Sequence, residues 1–382
     1  MNTEIDKSTI AFGQLTEAGM LSLWPVLEGL SSDQQWMAWG EANYTKTLPR
    51  KWELSRTVVV NDQVLGYCLC SVRGGFLWIH RLVVGQASRG KGLGGVFVRE
   101  MQRVAKGAGL LGIFLKTPVE NVQGVLFYKD NGFREVSNEN GHVVLMAESA
   151  GDVAVGIHQP NYLPWLGYFY KMSISNVFIF LDDADFPKGS YVNRNKICIN
   201  GEGKWLTVPT GGGLKTPILH VCPAGSEWAQ KHIRTLEVVY GRAPFFNEYF
   251  PAISAILSEK GSLNFADLNI ALIKYVASHV GVDCIFLRSS EMNVSGLSDA
   301  RLVQLVSKVG GHTYISGSGG ANYQTEEIYQ EHGIKLQYSN YKAEAYPQGT
   351  SEFIAGLGVL DALFNVGAEQ IAATFKQLAQ NR

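Results

Sequence analysis

The sequence predicts an α/β protein built of two domains, and three observations carry that prediction. Its 382 residues are more than one ordinary hydrophobic core organises. Up to about residue 150 the order is strands, a Gly-rich turn, a helix, a strand, a helix and a strand. Beyond that point short apolar strands alternate with helical stripes, the pattern of an α/β fold with a largely parallel sheet.

In the first part, residues 56–60 and 65–72 read as a hairpin around Asn61-Asp62, and a strand at 76–84 follows the turn Gly74-Gly75. Val98, Met101, Ala105 and Ala108 recur at helical spacing after Gly94. Residues 112–115 form a short strand, and Val122, Val125, Leu126 and Lys129 mark a helix closed by Asn131-Gly132. The apolar strand 142–146 runs into the small, polar stretch 147–152, which places the boundary there: residues 1–149 form one domain and 150–382 the other. In the second part the expected strands are 153–157, 177–181, 205–209, 284–287 and 313–316, with a helical stripe at Leu302, Leu305, Val306 and Val309.

Composition narrows the function classes. Apolar residues make up 46% and charged residues 18%, as in a soluble globular chain, and the formal charge of -1 leaves no footprint for nucleic acid or an anionic membrane. No apolar run approaches the ~18 residues of a membrane span, and the first residues lack a signal-peptide pattern, so a cytoplasmic protein is expected. The five cysteines include no CxxC pair, and no metal set with convincing spacing appears. Cys68 and Cys70 lie on one face of a strand and read as core.

The run Arg89, Gly90, Lys91, Gly92, Leu93, Gly94 joins a strand to a helix. Such glycines let the backbone approach a ligand, and N–H groups converging on a helix N-terminus hold phosphate. Taken alone, the run is equally a tight strand-to-helix turn. Its context resembles the GNAT family of N-acetyltransferases. Arg89, Gly92 and Gly94 fill that family's Arg/Gln-x-x-Gly-x-Gly/Ala motif, and about thirty residues downstream the stretch from Asn121 to Phe133 resembles its closing helix, with Phe127-Tyr128 and Gly132-Phe133. The resemblance covers about residues 8–148 and implies an α+β domain with a mixed sheet that binds acetyl-CoA or another acyl-CoA as cosubstrate. Backbone groups of Leu82, Val83 and Val84 would polarise the thioester. Tyr128 would protonate the departing thiolate, its alternative being a packed aromatic, and Asn121 would contact the pantetheine arm. His80, on the strand that feeds the turn, is a candidate general base or else a packed strand histidine.

In the second half a buried strand ends at His158 and another at Asp182-Asp183. In a parallel sheet both lie on one edge, which Arg288 would join, and a Gly-Ser turn at 317–320 offers a second phosphate nest or a plain loop. His158, Asp182 and Asp183 are the catalytic candidates there. They could also hold a metal, and the aspartates could simply cap a turn. His232 shares a stripe with Trp228, Leu236 and Tyr240 and reads as packed.

This half resembles the WbqC-like protein family over about 154–370. The matching pieces are 157–168 (Ile-His-Gln-Pro-Asn-Tyr-Leu-Pro-Trp-Leu-Gly-Tyr), 181–183, 191–195, 205–209, 314–317 and 360–365. The residues on those motifs are His158, Gln159, Asn161, Tyr162, Asp182, Asp183, Asn193 and Arg194. That resemblance implies work on an activated sugar for bacterial surface polysaccharide such as O-antigen. Together the two imply an N-acyltransferase whose small-molecule acceptor is the amine of a nucleotide-linked amino sugar. Two alternatives stand beside it: the second half is the only enzyme, next to a GNAT fold used for recognition, or it is a non-catalytic sugar-binding module.

Overall fold

In the computed structural model, residues 9–33, 39–148, 151–187, 189–213, 215–322 and 324–381 are described. The chain divides into two compact units, Met1–Asp152 and Val153–Arg382. The expected boundary at 149/150 and the first eight residues of the N-terminal segment lie outside the described residues.

The first unit runs β1 (Ile10–Gln14), α1 (Glu17–Leu30), α2 (Glu41–Thr45), α3 (Lys51–Leu54), β2 (Arg56–Val60), β3 (Gln63–Arg73), β4 (Phe76–Val84), α4 (Leu93–Gly107), β5 (Gly112–Pro118), α5 (Val122–Asp130), β6 (Arg134–Glu139) and β7 (His142–Glu148). Its seven strands form one sheet in the order β1-β2-β3-β4-β5-β7-β6. Every pairing is antiparallel except β4 with β5, so the sheet is mixed. The hairpin turns are two residues long with positive φ at both positions, as at Asn61-Asp62 (48° and 61°), which suits the right-handed twist of the strands they join. Helix α4 buries Phe97, Val98, Met101, Val104 and Ala105, a stripe at helical spacing, against a core that includes Cys68, Cys70, Leu77, Ile113 and Leu145.

Two departures from regular pairing shape this sheet. Leu69 pairs with Arg81 and Cys70 with Ile79, so His80 is an extra residue bulging from β4. Strands β4 and β5 pair only from Leu77↔Ile113 to Ile79↔Leu115, and then part.

The second unit contains β8 (Ala154–His158), α6 (Leu166–Ser173), β9 (Val177–Phe180), β10 (Arg194–Ile199), β11 (Glu202–Thr207), α7 (Trp228–Tyr240), α8 (Phe246–Lys260), α9 (Phe265–His279), β12 (Ile285–Arg288), α10 (Ser298–Lys308), β13 (Thr313–Ser316), α11 (Glu326–Gln330), β14 (Lys335–Tyr338) and α12 (Val359–Gln380). Five strands make an all-parallel sheet in the order β12-β9-β8-β13-β14. The chain starts at the centre, builds outward through β9 and β12, then returns to build through β13 and β14. The order therefore reverses between β8 and β13, the crevice where open α/β sheets bind ligands.

The stretch 205–209 corrects the expectation. Its strand is part of β11, which pairs only with β10 as an antiparallel hairpin outside the parallel sheet. The turn Asn200-Gly201, with φ of 52° and 77°, pairs this stretch with its own neighbour instead of with the sheet. Among the described residues no helix is long and apolar enough to cross a membrane.

Phe97 is fully buried in the first core, so Phe97→Ala should cost about 3–5 kcal/mol. Denaturant unfolding of the full chain, followed by a probe in the first unit, would measure this; a loss below about 1 kcal/mol would mean that α4 does not anchor the core.

Candidate active site

The parting of β4 and β5 opens a cleft of about 620 Å³. One wall is the outer half of β4, from Ile79 to Val84; another is the start of α5; the floor is the Gly-rich turn into α4. Gly90 and Gly92 have φ of 73° and 78°, which a residue with a Cβ adopts only under strain, and a Cβ at either would meet no atom within 4 Å. The turn therefore presents bare backbone to the cleft. The first N–H groups of α4 have no acceptor within the helix, so they and the helix dipole form a ready anion cradle.

Side chains fix this geometry. Arg89 Nε donates to the Val84 carbonyl at 2.9 Å, and its terminal nitrogens bind Asp33 at 2.5 and 3.0 Å, tying the turn to the end of β4 and to the chain after α1. Asn121 caps α5: its Oδ1 accepts from Gly124 N at 3.1 Å while its Nδ2 donates to Thr117 Oγ1 at 2.9 Å. Glycine at 94 lets α5 approach α4, since a Cβ there would lie 3.0 Å from the Phe127 ring.

Tyr128 is 9% exposed and lines the cleft, packed between Phe127 and Phe133. Its phenol has no hydrogen-bond partner among the described residues, and burial pushes its pKa above the ordinary value, so it holds a proton at neutral pH. His80 faces the same cleft from the bulge, its Nε2 2.8 Å from Ser71 Oγ. Burial, aided by the positive charges of Lys51, Arg73 and Lys46, lowers its imidazole to about 4. It is neutral at pH 7 and a weak base. Lys116, also on the cleft, pairs with the buried carboxylate of Glu139.

Of the residues singled out by sequence, His80, Leu82, Val84, Arg89, Gly90, Gly92, Gly94, Asn121 and Tyr128 line one cleft. Val83, Lys91 and Leu93 do not. Val83 alternates to the other face of β4, where it packs with Leu15 and Met20, and Leu93 is buried in the α4 core. Asp33, Thr117 and Phe127 belong to the cleft without having been singled out. Asp33 lies 56 residues from the arginine it holds, so no local pattern reveals it.

The parallel sheet of the second unit brings the other candidates to its carboxyl edge with a different result. Asp182 is fully buried and accepts from Arg288 Nε (2.7 Å), Ser290 N (3.0 Å) and Ser290 Oγ (2.8 Å), with Ser289 Oγ 3.2 Å away. Asp183 accepts from Ser289 Oγ at 2.5 Å and pairs with Arg301, while Arg288 also reaches Asp267 at 2.6 Å. The donors on these carboxylates tie the chain after β9 to β12 and α10. Among the described residues no three metal-ligating side chains gather, which corrects the idea of His158 and the two aspartates as a metal set. His158 packs on Tyr168 (4.8 Å between ring centres) and Trp165 (6.0 Å), with Nδ1 3.1 Å from the Gln159 carbonyl. Burial, with Lys171 nearby, pushes its imidazole down to about 3. Lys171 itself donates to the Ile157 carbonyl at 2.5 Å, and burial lowers it to about 7. Tyr162 OH meets His232 Nδ1 at 2.8 Å, Asn193 Nδ2 donates to the Val208 carbonyl at 3.0 Å, and Asn161 is buried. The 317–320 segment folds as a short turn in which a Cβ on Gly320 would collide with Ser316 and Gln324.

A mixed sheet that splays beside a Gly-rich turn and a tyrosine-bearing helix defines the first unit as an acetyltransferase domain. Residues 24–133 match the Acetyltransferase (GNAT) family. The chain belongs to the WbqC-like protein family, whose model matches residues 159–373. The uncharacterized protein Rv1507c of Mycobacterium tuberculosis is 31% identical over 218 residues, which span 56% of this chain and 94% of that one. Among solved structures, PaiA N-acetyltransferase of Thermoplasma acidophilum, in complex with coenzyme A, is 15% identical with a TM-score of 0.31, over 37% of this chain and 99% of that one. The ribosomal-protein-S18-alanine N-acetyltransferase of Escherichia coli is 14% identical with a TM-score of 0.32, over 37% of this chain and 96% of that one.

The histidines generate a pH prediction. His80, His158 and His232 lie at about 4, 3 and 4 in the fold, against an ordinary 6.5 in the unfolded chain. Between those values the unfolded chain binds more protons, so this contribution is intact above pH 6.5 and is lost as pH falls towards 4. Urea midpoints between about pH 7 and pH 4.5 should fall less steeply in His232→Gln than in the wild type, and equal slopes would contradict the assignment.

Proposed function

We propose that this chain is a two-site acyltransferase. The first unit moves an acetyl or other acyl group from CoA to the amine of a nucleotide-linked amino sugar destined for bacterial surface polysaccharide. The second unit holds that sugar or performs an adjoining step. The reaction takes place in the cytoplasm, where acyl-CoA and nucleotide sugars are made.

The observation that supports this best is the joining, in one cleft, of a bare-backbone anion cradle to a protonated, otherwise unengaged phenol. The residues present fit an acyl-CoA. The Gly90–Gly94 turn and the first N–H groups of α4 would take the pyrophosphate, and Asn121 the pantetheine arm. Past Ile79 the outer half of β4 has no partner in β5; successive N–H groups face opposite edges and that of Val83 faces β3, so those of Leu82 and Val84 would polarise the thioester carbonyl.

The acceptor nitrogen attacks that carbonyl carbon, a C–N bond forms and the C–S bond breaks. The sulfur takes the phenolic proton of Tyr128, and the proton shed by nitrogen restores the phenol through solvent. His80, neutral and held by Ser71, orients the amine by hydrogen bonding instead of storing its proton.

Thiol release from acetyl-CoA across a panel of nucleotide-linked amino sugars tests the reading, and silence with every acceptor while CoA still binds would overturn the choice of acceptor. Tyr128→Phe should lower kcat by at least about tenfold with CoA affinity within about twofold of wild type, since the hydroxyl acts on the leaving sulfur. Equal loss of both would make Tyr128 a packing residue. Gly92→Val should weaken CoA binding by at least about tenfold, because it strains the turn by roughly 1–2 kcal/mol and adds a branched side chain beside the cradle; unchanged affinity in calorimetry would remove the turn from the site.

A further inference from the structure

The β10–β11 hairpin carries a surface that the acyl-transfer cleft does not use. Lys196 stands opposite Trp205 and Arg194 opposite Thr207, so these four share one face while Asn195 and Leu206 turn inward and are buried. The Arg194 guanidinium lies 4.2 Å from the Trp205 ring centre and Lys196 Nζ lies 5.2 Å from it. Trp205 is 43% exposed and Tyr191, 5.8 Å away between ring centres, is 40% exposed. Trp165 stands 5.2 Å from Tyr191 and 6.0 Å from His158. A file of rings thus leads from the carboxyl end of β8, beside the point where strand order reverses, out to Trp205.

Charge sets this surface apart. Lys204, Lys231, Arg288 and Arg301 pair with carboxylates in this unit, whereas neither Arg194 nor Lys196 meets one among the described residues. Arg194 Nε is buried without a hydrogen-bond partner. Two exposed rings flanked by two uncompensated cations suit a flat ring that carries phosphate: the rings supply stacking area and the cations charge-assisted hydrogen bonds. An uncharged sugar or an apolar peptide would leave both cations unused.

We propose that this face binds the nucleotide end of a nucleotide-linked sugar, with the base against Tyr191 and Trp205 and the diphosphate on Arg194 and Lys196. The proposal rests on the reading that the second unit holds a nucleotide-linked acceptor.

The test is calorimetric titration of UDP, GDP, CDP and dTDP into the full chain with CoA held at saturation, so that the first unit's cleft is blocked. At least one nucleotide should bind saturably, and Trp205→Ala and Arg194→Gln should each weaken it by about tenfold or more, within the range for loss of a stacked base. Inorganic pyrophosphate should lose affinity in Arg194→Gln and keep it in Trp205→Ala. Trp205 is half-exposed on a hairpin, so an unchanged melting temperature shows that the variant is folded. No binding by any of the four at millimolar concentration, or equal affinity in both variants, would overturn the proposal. Because the readout is binding, an absence of thiol release alongside intact nucleotide binding would count against acyl transfer to that sugar and leave this site standing.

Discussion

The first unit depends on the failure of β4 and β5 to stay paired. Parallel strands gain hydrogen bonds for as long as they run together, yet these two separate after Ile79 and Leu115. The separation leaves backbone donors and acceptors in need of partners, and each unmade bond in a dry interior is costly. The surroundings hold the gap open. The bulge at His80 turns β4, β5 finds its other partner in β7, and Arg89 satisfies the Val84 carbonyl while clasping Asp33. What remains is a cleft that exposes main chain along the free edge of β4 and at the Gly-rich turn, suited to a ligand that is itself a chain of amides and phosphates.

The second unit meets the opposite condition at its own sheet edge. Asp182 has no access to solvent and so needs donors; it has three, from Arg288 Nε and from the N–H and hydroxyl of Ser290. Removing any one donor would leave part of a buried charge unpaired, which explains how loop residues after β12 are pinned to the end of β9. The two aspartates at this edge therefore hold loops together, whatever else they do. The less conspicuous hairpin beyond them carries the uncompensated charge.

What was legible in the sequence was what local rules determine. The Gly-rich turn, the stripe on α4 and the two-residue hairpin turns at Asn61-Asp62 and Gly74-Gly75 are set by neighbours along the chain, and their elements lie where the pattern places them. Alternation of strand and helix gave the second sheet its parallel character. The same local rule, read at Asn200-Gly201, would have separated β10–β11 from that sheet, since this dipeptide between extended runs is a strong hairpin signal. Other features had no local signal. The Asp33–Arg89 clasp, the donors on Asp182 and the burial of Lys171 under the Ile157 carbonyl join residues that only the finished fold brings together.

The cations around His80 bear on more than the imidazole. Lys51 is buried and held by the carbonyls of Tyr44 and Lys46, so its charge is fixed in place. With Arg73 and Lys46 it makes the protonated state of a neighbouring group unfavourable. An ammonium brought beside His80 would enter the same field and would lose its proton more readily than in water. If the proposed acceptor amine binds there, the pocket would lower its basicity and bring it closer to the free-base form without a strong base to strip it. Added salt would weaken this help, less so where the charges are buried than where they meet water.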